Sequence, residues 1–311
     1  MNISTATRSP QSLSALPAPA LPALIAPALP VAHSSGTSRH PRRLWQSAMP
    51  EITLSVVIPF YNPGDALRPT VERLLDVLNH HGVTFEVIAV SDGSTDGSED
   101  TLAGLDDRVT VLVAPFNRGK GAALRLGMEH AAGAWVGFLD ADGDIDPVHL
   151  SQYLRLAQAG DHQVVYANKR DPRSGNPSTK MRRVISWTFS SVVSTLFSVG
   201  VSDTQTGCKL IRRDVLAQVL PATCEEGFAF DLEFFVAARA AGVSDMVGAP
   251  VQLSERLSGS TVTTKAIIRT LKDTLRVFGR RRLTRAYTPT TSSPLFVATQ
   301  ETRATSIALA A

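Results

Sequence analysis

The chain has 311 residues, 43% hydrophobic and 19% charged, which is enough for one large α/β domain carrying tails. A net charge of +3 and a pI near 9.0 are too mild to argue for a nucleic-acid partner. Cys208 and Cys224 match no metal-ligand or redox spacing and read as buried free thiols in a reducing compartment.

Residues 11–32 are rich in Ala and Leu, but Pro17, Pro19, Pro22, Pro27 and Pro30 interrupt the helix that a secretion signal needs, and only Arg8 precedes them. The expectation is a disordered Ala/Pro tail over residues 1–50 and a cytoplasmic protein. From Leu54 the texture changes. Leu54–Ile58 is a short β-branched run, the mark of a buried parallel strand, and Asn62-Pro63-Gly64 breaks it. Leu67, Val71, Leu74, Leu75 and Leu78 then share one helical face that stops at Gly82. Strands follow at Phe85–Val90, Val109–Val113, Trp135–Leu139 and Gln163–Ala167. Helices are expected near Thr95–Leu105, over Gly119–Ala132 and over 147–159. Strands alternating with helices imply a mainly parallel sheet, whose ligands bind outside the carboxyl ends of the strands. Tyr61-Asn62, Ser91-Asp92-Gly93-Ser94 and Asp140-Ala141-Asp142 fall at those ends.

After residue 168 the pattern loosens. Lys169–Arg183 reads as a polar, basic loop. Val184–Val201 carries no charge, and its apolar residues recur at helical spacing opposite a hydroxyl-rich face, which fits a helix lying in an interface or one packing on the core. Between Lys265 and Arg285 eight Lys or Arg stand against the single acid Asp273. Ile267, Leu271, Leu275 and Phe278 make an apolar stripe there, with Arg269, Lys272, Arg276 and Arg280 on other faces. Neither segment is a convincing membrane-spanning helix.

Asp140 and Asp142 flank a strand end just before Gly143, which eases the turn that lets both carboxylates reach one ion. Hard carboxylate oxygens suit Mg²⁺ or Mn²⁺, ions that bridge proteins to diphosphates. Asp92 fits a ligand of ribose hydroxyls or a base N–H, and also a cap of the helix that follows it, two roles that do not exclude each other. Asn117-Arg118-Gly119-Lys120-Gly121 fails as a P-loop, since Ala114 and Gly121 stand where Gly and Ser or Thr are required. It remains a basic loop at a helix N-terminus, suited to anionic groups.

Taken together, Ile58-Pro-Phe-Tyr-Asn62, Asp92-Gly-Ser-Thr-Asp96, Asn117-x-Gly-Lys-Gly121 and Asp140-Ala-Asp142 make the chain resemble the inverting family-two glycosyltransferases of the A-type nucleotide-sugar-binding fold, over about residues 53–265. Asp203-Thr-Gln-Thr-Gly-Cys-Lys209 and Phe230-Asp-Leu-Glu233 resemble the branch that makes polyprenyl-phosphate sugars, and within it the dolichyl-phosphate glucosyltransferases. The expected organisation is a glycosyltransferase domain at 51–262, which includes 184–201, then a basic amphipathic helix at 263–285 and a disordered tail at 286–311. The resemblance implies transfer of a hexose, glucose by preference, from a UDP-sugar to a polyprenyl phosphate at the cytoplasmic face of a membrane, with peripheral attachment. A polyprenyl-phosphate mannose synthase using GDP-mannose, or a soluble family-two enzyme acting on a polysaccharide or secondary metabolite, are the alternatives.

By position, the resemblance assigns Asp92 to the nucleoside, with Pro59, Tyr61, Asn62 and Lys120 near the nucleotide. It assigns Asp140 and Asp142 to diphosphate and metal, and Asp203, Gln205, Lys209 and Asp231 to the sugar and acceptor side. Arg170, Arg182, Arg183 and Arg256 are the candidate contacts for an acceptor phosphate. Three departures stand out. Pro63 replaces the usual Glu, Ser91 replaces the first of two usual acids, and Asp144 stands where mannosyl relatives have Gln, as a third candidate metal ligand. A polyprenyl phosphate is largely deprotonated at neutral pH, its second ionisation lying near pH ~6, so the absence of histidine from every motif is consistent with this chemistry.

Overall fold

A computed structural model describes residues 52–175, 197, 199–254, 264–281 and 287, with the backbone alone for 264–270. The expected tail at 1–50, most of the stretch 184–201, the tail at 286–311 apart from Tyr287, and Arg182, Arg183 and Arg256 lie outside these residues.

Seven strands form one sheet: β1 (Leu54–Phe60), β2 (Phe85–Ser91), β3 (Val109–Val113), β4 (Trp135–Leu139), β5 (Val164–Ala167), β6 (Cys208–Arg212) and β7 (Met246–Ala249), in the order β3-β2-β1-β4-β6-β5-β7. Neighbours run parallel except at β6, which is antiparallel to both β4 and β5. The helices are α1 (Leu67–His80), α2 (Lys120–His130), α3 (Val148–Gly160), α4 (Arg213–Val219), α5 (Phe230–Ala240) and α6 (Thr264–Gly279).

Strand residues alternate between two cores. Val56 and Ile58 face the layer built by Leu67, Val71, Leu74 and Leu78 of α1 and Leu150, Tyr153 and Leu154 of α3. Val57 faces the opposite layer, with Leu124 and Met128 of α2, Val215 of α4, Phe234 and Phe235 of α5, and Val277 of α6. Both faces are covered, which is why β1 reads as an unbroken apolar run rather than an alternating one. This is the expected A-type fold, a mainly parallel sheet flanked by helices.

Three sequence expectations change. The helix expected near Thr95–Leu105 shrinks to a 3₁₀ turn at Ser98–Leu102. Gly97 enters it at φ 72°, and Asp96 takes the Ser98 N–H and hydroxyl for itself, so the local hydrogen bonds compete with a helix. Tyr287, assigned to the tail, is buried in the second core. Cys224 is exposed, whereas Cys208 is buried, and both thiols are free.

The stripe expected on the basic helix also turns out differently. Among the described side chains of this helix, Asp273, Thr274 and Val277 are buried, while Leu271 and Leu275 are exposed. Phe197, the one residue of 184–198 that is described, is buried and packs edge-to-face on Phe278. No described helix is long and apolar enough to cross a membrane.

Gly127 lets α2 lie directly on the sheet, since a Cβ there would overlap Val57 and approach Val90 to 3.0 Å. Gly127→Val is expected to lower stability by about 3 kcal/mol through overpacking, read as a lower urea midpoint at unchanged m-value. An unchanged midpoint would show that α2 does not sit this close.

Candidate active site

The polar residues converge because of sheet direction. β1, β2 and β4 are parallel and end at one edge, and β6 runs the other way, so its start lies at the same edge. Cys208 pairs with Leu139, and Asp140 N–H donates to the Gly207 carbonyl at 3.1 Å. The Asp203–Gly207 turn is thereby set against Asp140.

At the end of β1, Asn62 adopts the left-handed region with φ 48°, which asparagine tolerates. It accepts the Thr95 N–H at 2.8 Å, and its own N–H donates to the Ser94 hydroxyl at 3.1 Å. The Gly64 N–H donates to Asp96 Oδ2 at 2.9 Å. The first two strand-end loops are thus laced together, with Tyr61 on their outer side, half exposed. Pro59 lies past the last residue that β4 pairs with. Ser91, in place of an acid, is buried and accepts the Ser94 N–H.

Asp92 is buried, and its two oxygens accept the Arg118 N–H at 2.9 Å and the Gly119 N–H at 2.7 Å. It therefore caps the entry to α2, two elements further on, and not the helix that follows it in sequence. Each oxygen keeps a second lone pair for another donor.

That cap sets the position of Lys120. Its ammonium lies 2.6 Å from Asp140 Oδ1 and 3.7 Å from Asp231 Oδ2. Asp231 in turn receives the Lys209 ammonium at 2.6 Å, and Lys209 also donates to the Thr206 carbonyl at 2.9 Å. Lys209 and Asp231 are almost wholly buried, with the ammonium 4.8 Å from the Phe138 ring centroid. The result is a row of alternating charges, Lys209, Asp231, Lys120, Asp140. Burial lowers the proton affinity of Lys120, but Asp140 and Asp231 reverse that and hold it well above the usual lysine range. Burial raises the Asp140 carboxyl, and Lys120 opposes the rise without cancelling it.

A cavity of about 310 Å³ opens at the end of this row. It is lined by Tyr61, Lys120, Asp140 and Asp142 from the predicted set, and by Phe60, Pro63, Ala66, Ala141 and Phe228. The volume is at the lower end of ligand sites, ~300–1,000 Å³. Phe228 is a contribution that sequence reasoning missed, since an exposed aromatic in an unassigned loop carries no periodic signal.

The other predicted residues act from behind the lining. Asp203 is buried and accepts the Gln205 and Thr206 N–H groups, the Thr206 hydroxyl at 2.6 Å and the Lys169 N–H at 3.2 Å, which joins its loop to the end of β5. Gln205 Nε2 is buried and finds no acceptor among the described residues, a donor left in reserve. Arg170 is exposed at the end of β5.

Asp144 does not join Asp140 and Asp142 as expected. Among the described residues no three His, Cys, Asp or Glu side chains form a metal cluster. The Asp144 backbone N–H donates to Asp142 Oδ1 at 3.1 Å and its carbonyl accepts the Ser254 N–H at 2.8 Å, beside the bridge between Ile145 and Leu253. Asp140 and Asp142 remain as two hard oxygen donors in the cavity. That set fits Mg²⁺ or Mn²⁺, which keep several waters and take one or two carboxylates plus substrate phosphates.

A profile of "Glycosyl transferase family 2" matches residues 55–220. The chain belongs to this family. Within it, the chain is 31% identical over 202 residues to a dolichyl-phosphate beta-glucosyltransferase of Drosophila melanogaster, a match covering 59% of this chain and 62% of the fly protein. It is 31% identical over 213 residues to the Mus musculus protein of the same name, covering 63% and 65%. A match to "Dolichyl-phosphate beta-glucosyltransferase ALG5A" of Trichomonas vaginalis, 26% identical, covers 73% of each chain. The chain thus spans a little under two thirds of the length of the fly and mouse relatives. The dolichyl-phosphate glucosyltransferase-like resemblance read from Asp203–Lys209 is borne out.

Two solved structures share the family fold. Mannosyl-3-phosphoglycerate synthase from Rubrobacter xylanophilus aligns with TM-score 0.58 at 15% identity, covering 78% of each chain. Glucosyl-3-phosphoglycerate synthase from Mycobacterium tuberculosis, solved with Mn²⁺, UDP and product, aligns with TM-score 0.58 at 16% identity, covering 78% of this chain and 82% of that one.

A Cβ at Gly207 would overlap the Asp140 carboxylate. Gly207→Ala is expected to displace that carboxylate and lower transferase activity about 100-fold, the scale of an ångström-sized misplacement at a reacting centre. Activity within about two-fold of wild type would remove Asp140 from the reaction.

Proposed function

We propose that this family-two protein transfers glucose from UDP-glucose to a polyprenyl phosphate of the dolichyl type, with inversion at the anomeric carbon and with Mg²⁺ or Mn²⁺ bound. The observation that carries the reading is the meeting of Asp140, Asp142 and Lys120 in one cavity, in a chain 31% identical to dolichyl-phosphate glucosyltransferases over 59–63% of its length.

Asp140 and Asp142 would hold the divalent ion together with the donor diphosphate. When bound, that ion neutralises the charge developing on the leaving nucleoside diphosphate. Lys120 supplies a fixed cation on the same side, kept protonated by Asp140 and Asp231. Lys209 and Asp231 act through Lys120, fixing where its ammonium sits. Tyr61, Asn62 and Pro59 belong to the nucleotide side with the Asp92-capped loop, and Asp203 and Gln205 to the sugar and acceptor side. Among the described residues, no histidine lines the cavity. A phosphate acceptor needs none, because most of it is already deprotonated at neutral pH and attacks C1 directly. Arg170, just past the end of β5, and Arg256, outside the described residues, are the candidate contacts for the acceptor phosphate.

The acceptor places the protein at the cytoplasmic face of a membrane, held peripherally. Leu271 and Leu275, exposed one turn apart on α6 beside Lys272 and Arg276, have the chemistry of a helix lying on an anionic lipid surface.

Wild type incubated with polyprenyl phosphate, Mn²⁺ and a panel of UDP- and GDP-sugars is expected to form one lipid-linked hexose, with UDP-glucose the best donor, as read by mass spectrometry of the lipid fraction. Asp142→Ala is expected to lower the rate at least about 100-fold. Product from a GDP-sugar alone would overturn the donor assignment, and an unaffected Asp142→Ala variant would overturn the metal site.

A further inference from the structure

Glu233 closes the string Phe230-Asp-Leu-Glu233, yet it lines no part of the cavity. It is fully buried, and its carboxylate accepts the Cys224 N–H at 2.8 Å, the Glu225 N–H at 2.6 Å and the Tyr287 hydroxyl at 2.8 Å. Arg280 faces it at 3.4 Å. Glu225, 3% exposed, is ion-paired to the same Arg280 and, at 3.3 Å, to Arg276, which also reaches Asp273 at 3.2 Å. Two carboxylates this close and this buried stay in place only while cations and donors from the C-terminal segment meet them.

The segment they hold is a wall of the active site. A Cβ at Gly119 would stand 2.5 Å from the Glu226 carbonyl oxygen, and one at Gly121 would stand 2.7 Å from that of Glu225. Ala122 N–H donates to the Glu226 carbonyl at 3.1 Å, and Arg118 is paired with the Glu226 side chain. On this segment, two residues further along, Phe228 lines the cavity opposite the turn that carries Lys120. From the other direction Arg125 grips the Thr223 hydroxyl at 2.9 Å and the Leu220 carbonyl at 3.1 Å.

We propose that Arg280 and Tyr287 are positioning residues for the donor side of the cavity. Acting through Glu225 and Glu233, they fix the 224–228 segment, and with it Phe228 and the Gly119–Lys120 turn. Arg280 and Tyr287 thus complete a site whose described lining includes neither of them. The kinetic part of this inference rests on the cavity being the nucleotide-sugar site; the structural part does not.

Tyr287→Phe removes one hydrogen bond and keeps the ring, and Arg280→Met removes the shared cation. In both, amide exchange at 224–229 and 118–122 is expected to quicken about ten-fold, with strands β1 to β4 unchanged. The KM for the nucleotide sugar is expected to rise about ten-fold with kcat within about two-fold, and Arg280→Lys is expected to restore most of it. Faster exchange confined to 280–287, or a fall in kcat at unchanged KM, would overturn the proposal. If wild type turns over no nucleotide sugar, the functional reading fails, while the exchange measurement still decides the positioning role.

Discussion

The arrangement depends on where a buried lysine finds its counter-charge. Lys209 is 1% exposed on β6, in the middle of a sheet, and an ammonium there is tolerable only with a carboxylate against it. Asp231 supplies that carboxylate from the first turn of α5, and having two oxygens it also faces Lys120. Lys120 meets Asp140, and the row of charges reaches the cavity. Each member fixes the next, so a side chain on the solvent side inherits the rigidity of a core residue.

Backbone features follow from the same row. β6 must run against β4 for Lys209 and the Asp203–Gly207 turn to arrive at the edge where the parallel strands end. Gly207 must lack a side chain because the Asp140 carboxylate occupies that space. Asp92 must cap Arg118 and Gly119 because the entry to α2 carries Lys120. Residues that look like separate ligands in the sequence are successive supports of one ammonium–carboxylate contact.

Much of this was legible in the chain. Unbroken β-branched runs between helical stripes disclosed the parallel half of the sheet, and a sheet of that kind concentrates polar strand ends at one edge. Asp140 and Asp142 were visible as hard donors at such an end. After residue 168 the signals failed for physical reasons. β6 carries a buried lysine that breaks the apolar pattern of a strand, and α5 is buried on nearly every side, so it shows no amphipathic period. The expected third carboxylate, Asp144, belongs to no three-ligand cluster among the described residues, and its backbone lies beside a bridge between Ile145 and Leu253, more than 100 residues apart. Phe228, Glu225 and Arg280 became connected only through tertiary contacts, which spacing along the chain does not encode.

On the proposed reading, two cavity carboxylates, one of them already shared with Lys120, are half of a metal site that the donor diphosphate would complete. Calorimetric titration of Mn²⁺ into the protein, with and without saturating UDP, tests it directly. Weak binding by the protein alone is expected, with affinity at least about ten-fold higher in the presence of UDP, the reciprocal coupling that follows when metal and diphosphate complete one site. Equal Mn²⁺ affinity in the two titrations would contradict it.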